Sequence, residues 1–98
     1  MKQTTGQLIE FLKEHKDDFE TQFSVKKLGV FGSYAREEAH EGSDIDIVVE
    51  LGKPDLFSLI GVKQALEDAF DTKVDVIRLR KNMNEVLRKR IEKDVIYV

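Results

Sequence analysis

The chain has 98 residues, a net charge of −3, two histidines and no cysteine. That length suits one domain, residues 1–98, around a single small core; the missing thiols exclude disulfide frameworks and thiolate metal sites, and zinc would lack its usual ligands. The slight acidity argues against general binding to a nucleic-acid backbone. No apolar run approaches the roughly 20 residues of a membrane span, and Met1–Gly6 has no signal-peptide core, so a cytoplasmic protein with no membrane attachment is expected.

Along the chain, Leu8, Ile9, Phe11 and Leu12, then Phe19 and Phe23, recur at helical spacing. With Thr4 or Thr5 as N-cap they predict a helix over about 5–16 and a short continuation toward 22. Residues 25–31 are rich in β-formers and read as a strand ending at Gly32. Ser33–Arg36 reads as a helical turn capped by Ser33, and 37–43 as a polar loop. Residues 45–51 alternate as a strand, with Ile45, Ile47 and Val49 on one face and Asp44, Asp46 and Val48 on the other.

Gly52-Lys53-Pro54 breaks that strand. Asp55 then caps a helix reaching Phe70, with Leu56, Leu59, Ile60, Val62, Ala65 and Leu66 on its apolar face. A third strand follows over 74–79. Asn82 or Asn84 opens a last helix to about Lys93, with Val86, Leu87 and Ile91 inward, and 95–98 adds a short terminal strand. The order αβαβαβαβ predicts an α/β (α+β) domain around a small mixed sheet flanked by helices.

Three acids and one turn carry the chemistry. Asp44 and Asp46 share a strand face with Cα atoms roughly 6.5–7 Å apart, and aspartate is a poor strand former. Like charges so placed invite a cation, and Mg²⁺ prefers a few carboxylate oxygens with water and substrate phosphates completing its shell. Asp75, between Val74 and Val76, is expected in a central strand, where an unpaired carboxylate is costly. If that strand neighbours the first, three carboxylates converge and could bridge two ions roughly 3.5–4 Å apart, with Asp75 also the candidate general base. Gly32-Ser33, between a strand and a helix start, offers close backbone approach and N–H groups to a phosphate. Arg36, one turn on, could neutralise phosphate charge. Neither a P-loop nor a Rossmann glycine pattern is present. Lys73, Arg78, Arg80, Arg88 and Arg90 make the last quarter basic, which suits either a solvated helix face or steering of a triphosphate or acidic partner.

The segment Gly32-Ser33-Tyr34-Ala35-Arg36-Glu37-Glu38-Ala39 resembles the Gly-Ser-Tyr-Ala-Arg-Gly-Glu-Ala signature of the minimal nucleotidyltransferase domains of the DNA polymerase β-like superfamily. Ser43-Asp44-Ile45-Asp46 is similar to that family's Ser-Asp-Ile-Asp, at the matching spacing, and Lys73-Val74-Asp75-Val76-Ile77 to the segment carrying its third acid. The resemblance runs from about Val25 to the C-terminus. One departure is Glu37, where the signature has glycine; a Cβ and a charge there are expected to alter the loop beside the phosphates.

The resemblance implies a polymerase β-like palm fold and Mg²⁺-dependent transfer of AMP from ATP to a hydroxyl. It implies Asp44, Asp46 and Asp75 as metal ligands and Gly32, Ser33 and Arg36 as nucleotide contacts. Larger relatives carry a further domain that grips the acceptor, so here a second polypeptide is expected to present it. Domains of this size resemble the antitoxin half of prokaryotic pairs whose toxin is a helical HEPN-type ribonuclease, which implies adenylylation of a toxin tyrosine. A catalytically silent binding module remains open, as does a small-molecule nucleotidyltransferase working as a homo-oligomer or with a separate helical subunit.

Overall fold

The computed structural model describes residues 4–53 and 55–98. Its elements are α1 (Thr5–Phe23), β1 (Val25–Phe31), α2 (Gly32–Ala35), β2 (Ile45–Leu51), α3 (Leu56–Phe70), β3 (Val74–Arg78), α4 (Glu85–Asp94) and β4 (Ile96–Tyr97). The expected order is borne out. Pro54, expected to help break the second strand, lies outside the described residues.

Thr4 starts α1 through a capping box: its hydroxyl accepts from the Gln7 N–H at 3.0 Å, and the Gln7 side chain accepts from the Thr4 N–H at 2.9 Å. Such a cap satisfies two of the donors a helix start leaves free. The helix then runs unbroken to Phe23, not to 16 with a continuation. No breaker intervenes, and the stripe of Leu8, Leu12 and Phe19 is buried throughout. Phe11 stacks on His15 at 4.1 Å and Phe19 on Phe23 at 6.0 Å, which carries the packing past the middle of the helix.

The four-stranded sheet has the order β3-β2-β1-β4, with β2 and β3 parallel and the other two pairs antiparallel. One face carries Leu28, Val30, Ile45, Ile47, Val49 and Val74 against Leu8, Leu12, Val62 and Leu66 of α1 and α3. The opposite face is smaller, with Phe31 and Val48 against Met83 and Ile91. The alternation expected in β2 is therefore correct, since Val48 packs opposite to Ile47 and Val49.

Several expectations need correction. Among the described residues β3 pairs only with β2, so it is an edge strand, not a central one. Leu56 and Ile60 point outward from α3, at 68% and 52% exposed, and Val86 points outward from α4. Helical periodicity marks a stripe wider than these short helices bury. Asn84, not Asn82, caps α4, accepting from the Val86 and Leu87 N–H groups at 2.9 and 3.2 Å.

Candidate active site

β1 ends where Phe31 pairs with Asp46, and β3 lies so that Asp46 pairs with Asp75. Strand register, not sequence proximity, therefore brings two of the three predicted acids side by side. Asp44 immediately precedes β2, and its Oδ2 lies 3.7 Å from Lys73 Nζ. Asp46 has its pKa raised, first by burial, next by the charge on Asp75, and also by Asp44, with Arg90 and Arg36 pulling the other way. Asp75 and Asp44 thus both act on Asp46 through space.

Gly32 sits against this cluster with φ +74. A Cβ built on it would lie 2.3 Å from Asp46 Oδ2. Glycine is needed here twice: for a left-handed backbone and for room beside the carboxylate. Ser33 does not cap α2 as expected. The N-cap is Phe31, with no side-chain bond, because the turn begins one residue earlier. The Ser33 hydroxyl is then not committed to capping, in a half-buried position next to Gly32.

Arg36 is engaged by two carboxylates. Its guanidinium donates to Asp94 at 2.7 Å and to Glu38 at 3.0 Å, tying the end of α2 to the end of α4. Its charge still lowers the pKa of Asp46. Glu37 adopts φ +58, and its N–H donates to the Tyr34 carbonyl at 3.1 Å. This residue keeps the left-handed conformation that glycine favours, so the departure from the signature is accommodated by strain.

A cleft of about 350 Å³ lies over Asp46 and Asp75 but not Asp44, lined besides these two by Phe31, Val76 and Ile77 of the sheet, Lys63 of α3, and Leu87 and Arg90 of α4. A second of about 300 Å³ borders Asp44, between Tyr34 and His40 on one side and Asp71 to Lys73 on the other. A larger one, about 470 Å³, sits between Glu50, Arg80, Arg88 and Tyr97. It contains none of the three acids, so volume does not locate the chemistry here.

Lys63 and Asp94 were not legible as site neighbours. Lys63 looks like any exposed position of an amphipathic helix, and Asp94 meets Arg36 across 58 positions of sequence. Arg90 had a weak signal in the basic C-terminal quarter.

Among the described residues, no group of three or more His, Asp or Glu side chains is arranged to hold a metal ion by itself. The donor set nevertheless fits Mg²⁺, which takes one or two carboxylates and leaves its other positions to water and phosphate. Hard oxygens crowd at Asp46 and Asp75, and their mutual repulsion is what a divalent cation relieves.

The nucleotidyltransferase domain family matches residues 12–98. The chain belongs to that family. It is 40% identical over 96 residues to a Methanocaldococcus jannaschii chain assigned as protein adenylyltransferase MJ1217, covering 97% of this chain and 98% of that one. Against protein adenylyltransferase MntA of Thermococcus cleftensis it is 33% identical, covering 97% and 96%. A solved structure assigned to the minimal nucleotidyltransferases superposes with a TM-score of 0.77 at 27% identity, covering 96% and 95%. The crystal structure of a toxin–antitoxin with AMP-PNP gives 0.69 at 25%, covering 97% of this chain and 72% of that one. The nucleotidyltransferase fold is thus that of the minimal members, and the expected fold class is confirmed. No described helix of this nucleotidyltransferase is long and apolar enough to cross a membrane.

Proposed function

We propose that this nucleotidyltransferase is an antitoxin that transfers AMP from ATP to a tyrosine hydroxyl of a helical HEPN-type toxin. The observation that carries the reading is the register that sets Asp46 beside Asp75, with the glycine turn against the same carboxylate. Relatives of nearly the same length carry the name protein adenylyltransferase, and a structural relative is a toxin–antitoxin with an ATP analogue.

Asp44 and Asp46 would hold Mg²⁺ with the triphosphate, and Asp75 would complete a second ion position. The metal, when bound, neutralises phosphate charge and lowers the pKa of a coordinated hydroxyl. The chain's own residues do the rest. Gly32 and Ser33 receive the β- and γ-phosphates on backbone N–H groups and a hydroxyl. Arg90 and Lys63, from two helices, add positive charge beside the acids. Asp75 accepts the proton as the tyrosine oxygen forms its bond to the α-phosphorus and pyrophosphate leaves. Transfer of this kind depends mainly on positioning and charge, which a rigid sheet end supplies.

Incubation with Mg²⁺ and ATP labelled at the α-phosphate, together with the co-encoded helical protein, tests this. Label is expected on a tyrosine of that protein. Tight complex formation without label, unchanged by Asp44→Ala, would instead establish a silent binding module.

A further inference from the structure

β3 ends the sheet on its side, so half of its backbone groups face β2 and half face outward. Two bonds fix which half. The Ile45 N–H donates to the Lys73 carbonyl at 3.0 Å, and the Leu79 N–H donates to the Val49 carbonyl at 2.7 Å. Residues 73, 75, 77 and 79 therefore turn toward β2, and 74, 76 and 78 turn to the edge.

The Val74 N–H is covered, donating to the Glu67 carboxylate at 3.0 Å. Among the described residues nothing covers the groups of Val76 and Arg78, and no further strand pairs with this edge. The cleft over Asp46 and Asp75 opens here. Asp75, Val76 and Ile77 line it, Lys63 of α3 bounds one side, and Leu87 and Arg90 of α4 bound the other.

We propose that an extended segment of the acceptor protein adds to β3 as a fifth strand and thereby sets its tyrosine beside Asp75, between acidic neighbours. This rests on the adenylyl-transfer reading above. Backbone pairing holds an added strand about 4.8 Å from β3 and leaves its side chains alternating between the two faces. Ile77 packs with the α4 cluster, and Val74 and Val76 pack with that of α1 and α3, which assigns the faces. A tyrosine on the α4 face lies next to Asp75 and Ile77, with Leu87 as an apolar wall for the ring. Its two neighbours fall on the α3 face, where the positive charges of Lys63 and Arg78 outnumber the one carboxylate of Glu67 at Val74, so the segment that fits has acidic residues flanking the tyrosine.

Binding of synthetic peptides to the full chain, followed by fluorescence anisotropy without nucleotide, tests the inference. One peptide places Asp-Tyr-Glu in a run of β-formers, and a second places Lys-Tyr-Lys there. Two further versions of the first are N-methylated on alternate amides, in opposite phases. The acidic peptide is expected to bind about tenfold tighter than the basic one, as two partly exposed charge pairs allow. One N-methylated phase should lose binding while the other keeps it, and hydrogen exchange at the Val76 amide should slow on binding. Equal binding of both phases, or no binding by any peptide, would overturn the proposal. Peptides that bind in the expected pattern yet never receive AMP would count against the adenylyl-transfer reading alone.

Discussion

Gly32→Ala separates the two demands placed on that residue. The new Cβ meets Asp46 Oδ2 at 2.3 Å and its Cγ at 3.2 Å, so the carboxylate must rotate away. The left-handed backbone, φ +74, costs an alanine about 1–2 kcal/mol. In a domain of this size each kcal/mol lowers Tm by about 4–8 °C, so a fall of about 5–15 °C follows. Displacing a carboxylate by about 1 Å can cost about 10²-fold in rate, and adenylyl transfer should fall at least that far. Gly42→Ala is the matched control: it also has a positive φ, of 90°, but a Cβ there meets nothing within 4 Å. That variant should lose comparable stability and keep transfer. Differential scanning fluorimetry and the α-labelled ATP assay read both quantities. A Gly32→Ala protein with wild-type Tm and transfer would show that neither demand falls on Gly32.

Other outcomes follow from the same geometry. Because the folded state raises the pKa of Asp46, its contribution to stability is present below the unfolded carboxylate pKa and is lost as pH rises through the folded one. Asp46→Asn should therefore raise Tm at neutral pH in metal-free buffer, and the gain should vanish under acid conditions; Mg²⁺ with an ATP analogue should stabilise the wild type more than this variant. Asp75→Asn should leave the circular dichroism spectrum unchanged and reduce transfer by at least about 10²-fold. Glu37→Gly should relieve the left-handed strain and raise stability by up to about 1 kcal/mol in denaturant melts.

The sequence made each element visible because local signals agreed: the Thr4 and Asp55 caps, the alternation of Ile45, Ile47 and Val49, and the turn at Gly32. What it could not supply was long-range. The parallel pairing of Asp46 with Asp75 needs the strand order, which no local pattern encodes, and the same order places Asp75 on an edge. The outward turn of Leu56, Ile60 and Val86 shows that periodicity finds a stripe but not its width. Arg36 has the residue type to meet phosphate, but its pairing with Asp94 and Glu38 depends on where α4 ends.

In the proposed reaction, acids from two strands share a divalent cation opposite the glycine turn that receives a triphosphate. A crystal structure with Mn²⁺ and a non-hydrolysable ATP analogue tests it through the anomalous signal of the metal. That signal is expected among the carboxylates of Asp44, Asp46 and Asp75, with phosphates against Gly32 and Ser33. Metal and nucleotide lodged in the cavity between Arg88 and Tyr97, with the acids bare, would contradict it.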